Sequence, residues 1–242
     1  MDLEEVFGQL FHGELSQTGI GPTLTNTSAL LAINYPKIIN FINLGVLALH
    51  TRFLLIEQEV VIQLYEGTTS YDLIWGRAFT NSEATLSPLY ITDSIANPFN
   101  QNRLIKILSV YDELGNEFIL NPSTFDPINI VPNIAYTPQQ LVLQIPAINS
   151  ENAVAAMCQA APNKIATTVT DTSTVVELPD VLLECLLLFI AERYFSGMNA
   201  QKEESVVYPN KYEEACDAIE ARNMINTVTN TGQDKYNREG WV

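Results

Sequence analysis

The chain has 242 residues, 47% of them hydrophobic and 17% charged, enough for one large domain or two small ones and too apolar for a disordered polymer. Twelve Lys and Arg stand against 28 Asp and Glu, a formal charge of −16. That balance opposes non-specific attraction to phosphate polyanions and argues against a nucleic-acid binder.

The first predicted element is a helix, because Leu3, Val6, Phe7, Leu10 and Phe11 recur at helical spacing and make one apolar stripe. Asp2 with Glu5 reads as a capping box and Gly13 as the stop. After a loop with Gly19, Gly21 and Pro22, a second helix is predicted from Thr27 or Ser28 towards Phe53, with Leu31, Tyr35, Ile38, Ile42 and Leu49 on one side. Pro36 is expected to kink or divide it.

From Leu54 the hydrophobic period changes to two. Val60, Ile62 and Leu64 alternate with polar or outward neighbours, as do Leu141, Leu143 and Ile145. Residues 104–111 and 117–120 read as strands flanking the turn Asp112-Glu113-Leu114-Gly115-Asn116. Prolines at 88, 98, 122, 127, 132, 138, 146 and 162 punctuate a region that a helical domain would not tolerate. Two further strands, 165–170 and 174–178, are expected to close this antiparallel unit.

Helix returns after Leu178, with Pro179 at a first helical position and Gly197 just past the end. Residues 181–191 are apolar nearly all round, which predicts a buried central helix. A last helix is predicted to start near Pro209, with Tyr212, Cys216 and Ile219 inward and Glu213, Asp217 and Glu220 outward. Beyond Asn226 periodicity is lost. The predicted fold class is therefore α+β: an antiparallel bundle of about four helices from both chain ends (1–53 and 179–228), an inserted antiparallel β domain (54–178), and an extended C-terminal arm (229–242).

Chemistry-bearing motifs are scarce. The three cysteines, Cys158, Cys185 and Cys216, form no CxxC and read as buried thiols of a reducing compartment. The opening Met1-Asp2-Leu3-Glu4-Glu5 has no basic stretch before an apolar one, so no secretory signal is expected. Residues 29–49 are interrupted by Asn34, Pro36, Lys37, Asn40 and Asn43, and 181–191 are too few, so no membrane span is expected. His12 and His50 fall at helix C-termini, where imidazole commonly serves only as a cap. Neither HExxH, GxSxG, a P-loop nor a spaced Cys/His quartet is present, and no catalytic, cofactor or metal residue is assigned. The 112–116 segment reads as a turn rather than a calcium loop, since it lacks alternating oxygen ligands and a distal Glu. Glu203-Glu204 and Glu213-Glu214 read as a solvated helix rim, and Phe7, Phe11, Phe41, Phe53, Phe189 and Tyr194 as core. The tail is different. Tyr236, Arg238 and Trp241 are the side-chain types of interface anchors, on a strip with no periodic pattern of its own.

The order of these parts resembles the head-to-tail adaptor (head completion, connector) proteins of short-tailed bacteriophages. The resemblance rests on Glu14-Leu15-Ser16 after a short amphipathic helix, on Ile105-Lys106-Ile107-Leu108-Ser109-Val110-Tyr111-Asp112-Glu113-Leu114-Gly115-Asn116-Glu117 leading to Leu120-Asn121, and on Leu178-Pro179-Asp180 through Arg193-Tyr194-Phe195-Ser196-Gly197 to Tyr212-Glu213. It covers nearly the whole chain, and its specificity lies in order and spacing. It implies a structural virion protein and not an enzyme, made in the host cytoplasm and placed at the head-tail junction, with no cofactor and no membrane contact. In such a protein a ring of about twelve subunits, a closed cyclic assembly, sits beneath the portal protein and extends the DNA channel, which DNA crosses without specific binding. The ring presents a platform for tail nozzle or tail fibre proteins. The resemblance also implies that the C-terminal arm docks on the portal, which points to Lys235, Tyr236, Asn237, Arg238, Trp241 and Val242. Two other classes stay open on the residues alone. One is a tail-tube or baseplate component; the other is a virion-associated cell-wall hydrolase, which needs a carboxylate pair in a cleft.

Overall fold

The computed structural model describes residues 1–16, 32–79, 86–95, 98–122, 133–146, 152–198 and 204–225. It is α+β, with four α-helices and two sheets among those residues. The chain divides into two compact units: Met1–Leu55 with Pro162–Val242, and Ile56–Ala161.

The first unit is helical. Helix α1 (Leu3–His12) begins where the Asp2 side chain accepts a hydrogen bond from the Glu5 amide at 2.9 Å, and it buries Leu3, Val6, Phe7 and Leu10. One orphan amide of the first turn is thereby satisfied, which is worth about 1 kcal/mol at an N-cap. Helix α2 (Tyr35–Arg52) follows a single 3-10 turn, Ala32–Asn34. Pro36 does not kink it. The proline lies in the first turn, where its missing N–H has no intrahelical acceptor to lose. The expected start at Thr27 or Ser28 lies outside the described residues.

Helix α3 (Leu183–Met198) packs against α1, α2 and α4 (Glu204–Ala221). Its Cys185, Leu186, Ile190 and Ala191 are fully buried and Leu188, Phe189 and Tyr194 nearly so, as a stretch apolar on all sides requires. Two expected helix ends move. Gly197 belongs to the last turn of α3 rather than following it, and it adopts no left-handed φ that would mark a glycine cap. Pro209 lies inside α4, which starts five residues earlier, at Glu204. In the second turn a proline removes one backbone bond without ending a helix whose Tyr212, Cys216 and Ile219 are held by the core.

The strands expected at 165–170 and 174–178 do not form a ladder. That segment belongs to the helical unit, with Val176 and Leu178 in its core and Ile165 and Val169 packed on it. Its backbone groups are satisfied by other means. The Asn43 side chain brackets Ile165, donating to its carbonyl at 2.8 Å and accepting from its amide at 2.9 Å. The first residues of the chain complete the pairing: the Leu3 amide donates to Thr174 O, the Glu4 amide to Thr172 O, and the Val176 amide to Met1 O. The β-branched residues of 165–178 thus describe an extended strap and not a sheet strand.

The second unit carries both sheets. The first has strand order β1-β7-β3, all antiparallel, from β1 (Glu57–Gln63), β3 (Leu104–Tyr111) and β7 (Ala153–Ala160). The other runs β2-β6-β5-β4, from β2 (Ser70–Asp72), β6 (Val142–Gln144), β5 (Ile134–Gln139) and β4 (Ile119–Leu120). The expected antiparallel character holds except for the short parallel pairing of β4 with β5 and an isolated parallel bridge between Ala78 and Ile91. Val60, Ile62, Leu104, Ile107, Val110, Val154, Ala156 and Cys158 form the inner layer. Two buried tyrosines face each other edge on, ring centroids 5.1 Å apart. Their hydroxyls are satisfied by backbone: Tyr71 donates to Thr68 O at 2.9 Å, and Tyr90 donates to Asp72 O at 3.0 Å.

Candidate assembly surfaces

The turn between β3 and β4 presents a defined surface feature of the β unit. The Asp112 carboxylate accepts from the Leu114 amide at 2.9 Å and the Asn116 amide at 2.7 Å through Oδ1, and from Asn116 Nδ2 at 2.8 Å through Oδ2. The backbone closes the same turn, Asp112 N to Asn116 O at 3.0 Å and Gly115 N to Asp112 O at 3.1 Å. Gly115 sits at φ +84°, a left-handed conformation that glycine adopts without steric cost. The Asn116 side chain, opposed by partial burial and aided by the turn amides, holds the Asp112 carboxyl below its ordinary pKa. Glu113 Oε1 accepts the Asn152 amide at 3.2 Å and ties the turn to the start of β7. Leu114 is left at the tip of this turn, 87% exposed. A rigid turn that exposes a large apolar side chain is suited to contact another surface at small entropic cost.

A second feature is a stripe on α2. Leu44 and Leu47, one turn apart, are exposed, and Ile33 just before the helix is more so. The opposite face buries Ile38, Ile39, Ile42, Val46 and Leu49.

At the C-terminal end of α2, Arg52 meets three carboxylates of α4. Nε reaches Glu220 at 2.6 Å, Nη1 reaches Glu213 at 2.6 Å and Nη2 reaches Asp217 at 2.5 Å. The acids stand at i, i+4 and i+7, one face of the helix. Burial disfavours the guanidinium charge, but the hydrogen bonds to Glu220 and Glu213 outweigh it, and the net shift is upward. Glu213, expected with Glu214 to be part of a solvated rim, instead joins the outward-facing Asp217 and Glu220 in fastening α4 to α2. The acid spacing was visible in the sequence, whereas the single arginine that answers it was not distinguishable from any other helix-terminal cation.

His50 is buried, and its Nε2 donates to Glu177 O at 2.9 Å, fixing the strap to α2. His12 is exposed at the end of α1, its ring edge on to Phe11. All three cysteines are reduced and buried. Burial pushes the Cys158 thiol up to about 12. Among the described residues no group of three His, Cys, Asp or Glu is placed to hold a metal ion, and no helix is long and apolar enough to cross a membrane. Of the aromatic residues expected in the core, Phe7, Phe53, Phe189 and Tyr194 are buried, Phe41 packs on the core, and Phe11 is half-buried.

A cavity of roughly 530 Å³ opens in the helical unit beside the C-terminal half of α4. Glu14, Glu184, Lys211 and Arg222 supply charged groups around it, and Cys185 and Met224 border it. The arm residues Lys235, Tyr236, Asn237, Arg238, Trp241 and Val242 lie outside the described residues.

A family model described as SU10 adaptor protein matches residues 20–233. No curated protein matches the chain.

Proposed function

Since the chain belongs to the SU10 adaptor protein family of phage head-tail adaptors, we propose that it forms the ring that joins the portal to the tail and extends the DNA channel. The family match, which spans residues 20–233, carries this reading. The role is structural, and the chemistry of the chain agrees with it in kind: its charged and aromatic side chains hold helices and turns together.

The helical unit supplies stability, and the β unit supplies contacts to neighbouring subunits or to tail proteins. The locked 112–116 turn, which offers Leu114 to solvent, supports that assignment. Residues 235–242 dock on the portal. A short segment without a core of its own needs a few strong anchors, and Trp241, Tyr236 and Arg238 are of the types that provide them. The charge of −16 suits a conduit that DNA must cross without being held. It also disfavours self-association in solution, so the ring forms on the portal and not before.

Electron microscopy of the purified protein alone and after mixing with portal tests the proposal. A ring seen only beneath the portal is the expected result. A stacked tube of this protein alone would replace it with a tail-tube role, and peptidoglycan cleavage without portal binding would replace it with an enzymatic one.

A further inference from the structure

The helical unit carries opposite charges towards the two ends of α3. At its C-terminal half, Lys37 of α2 places Nζ 4.5 Å from the centroid of the Tyr194 ring, and the Arg193 guanidinium lies over Phe189 at 5.1 Å. Phe195 stacks on Tyr208 of α4, with centroids 5.1 Å apart and an interplanar angle of 6°, and Lys211 Nζ stands 5.5 Å from the Tyr208 centroid. Tyr194 and Phe195 meet edge on at 5.7 Å, so three rings link Lys37 to Lys211. Lys37, Arg193 and Lys211 are exposed, and Phe195 and Tyr208 half-buried. Among the described residues no carboxylate forms an ion pair with any of these three cations, in a chain where acids outnumber bases by 28 to 12. Arginine and aromatic side chains held together are the types that anchor protein contacts.

The N-terminal end of α3 is acidic. Asp180, in the 3-10 turn Asp180–Leu182 that leads into the helix, and Glu184 in its first turn are exposed, as are Glu4 and Glu5 in the first turn of α1 and Asp171 in the strap. Backbone contacts gather them: the Glu4 amide donates to Thr172 O at 2.9 Å and the Thr174 amide to Asp171 O at 3.3 Å, while Asp180 Oδ1 meets the Met1 ammonium at 3.3 Å. Val175, bridged to Asp2, lies beside them and is 67% exposed. Glu184 and Arg193 stand about 14 Å apart along the axis of α3, so one molecule does not pair its own two ends.

We propose that the face of Lys37, Arg193 and Lys211 docks the face of Glu4, Glu5, Asp180 and Glu184 on a second copy of this chain, as a head-to-tail contact of the adaptor ring. The inference rests on the adaptor reading and adds a contact of the helical unit to those of the β unit. Complementary charge selects the partner, because cations that no carboxylate answers within the molecule match the carboxylates that the same unit carries at its other end. Val175 and the half-buried rings give each face an apolar part. Two different patches in contact make a heterologous interface, which repeats from copy to copy and closes into a ring where the rotation permits. Exposed opposite charges steer encounter more than they hold it. The contact is therefore weak between free molecules and closes on portal, where neighbouring copies are held side by side.

The test assembles an equal mixture of unlabelled and isotope-labelled full chain on portal and treats it with a water-soluble carbodiimide, which joins a lysine amine directly to a carboxylate in contact with it. The expected result is peptide pairs of mixed isotope that join Lys37 or Lys211 to Glu4, Glu5, Asp180 or Glu184. Charge reversal reads the same contact. Lys37→Glu with Arg193→Glu, and separately Glu5→Lys with Glu184→Lys, should each cut loading onto portal by about tenfold or more, and the four changes in one chain should restore it. Rings of wild-type chain whose cross-links at Lys37 and Lys211 stay within one copy or run to portal, or reversal variants that fold and load as wild type, would overturn the inference and leave the adaptor role standing. Absence of a wild-type ring on portal would overturn both.

Discussion

Gly45 on α2 lies so close to Leu186 on α3 that a β-carbon there would stand 2.7 Å from Leu186 Cδ1, and 2.9 Å from Phe189 Cδ1. The helices approach tightly at a position where one of them has no side chain. Alanine is the better helix former by about 1 kcal/mol, but an extra methyl in a packed core costs about 1–3 kcal/mol. Gly45→Ala is expected to lower the urea midpoint. A raised midpoint would show that Leu186 and Phe189 give way freely.

The two units are expected to separate stability from contact. Leu186 is fully buried between helices, and Leu186→Ala should cost about 2–5 kcal/mol through lost burial and the cavity left behind. Leu114 touches no core, and Leu114→Ser should change stability by no more than about 0.5 kcal/mol while weakening assembly with neighbouring subunits or tail proteins. Thermal melts and sedimentation of the assembled particles read both. The reverse ordering of the two melts would contradict the division.

Arg52→Ala removes three ion pairs at once and leaves Glu213, Asp217 and Glu220 facing one another without their cation. Exposed pairs contribute about 0.2–1 kcal/mol each, so a loss of about 1–2 kcal/mol is expected. It should shrink in molar salt, which screens both the attraction and the repulsion left behind. Urea melts at low and high salt check this; a loss that is independent of salt would assign the role of Arg52 to packing alone.

The Asp112 turn supplies a pH dependence with a definite sign. The folded-state pKa is lowered, so the carboxylate's contribution is complete above the unfolded value of about 3.9 and is lost as pH falls through the folded value. Asp112→Asn keeps the shape but not the charge. It should be less stable than wild type at neutral pH, and the difference should narrow as the acid limb is entered below about pH 4. Paired urea titrations at the two pH values measure it, and a difference that widens in acid would contradict the assignment.

Much of the fold was legible because strong periodicity meets real burial. The stripe of Leu3, Val6, Phe7 and Leu10 became α1, and β3 runs over the predicted residues 104–111. Strand β7 was not seen, although it is the centre of its sheet, because Ala-Val-Ala-Ala-Met-Cys-Gln-Ala contains little that favours a strand by itself. It is a strand because β1 and β3 pair with its backbone along both edges. Strand β5 was hidden by Pro138, which the ladder tolerates because the register shifts between Tyr136 and Gln139. The segments 165–170 and 174–178 escape a sheet for a related reason: β-branched composition reports an extended backbone, not which partner pairs with it, and here the partners are the Asn43 side chain and the start of α1. The turn at 112–116 was read from its residues, but the depth of its lock depends on Asp112 reaching both ends of Asn116.

The most direct measurement is the native mass of portal mixed with the full chain, beside portal mixed with a chain that lacks residues 233–242. The truncated chain should melt like the full one, because no periodic apolar pattern ties those residues to the helices. The full chain is expected to add about twelve copies to the portal ring, a closed cyclic complement, and the truncated chain few or none. Trp241→Ala alone should weaken binding by about 2 kcal/mol or more. Equal loading of portal by full and truncated chains would contradict docking through the arm, and no loading by either would contradict the adaptor role itself.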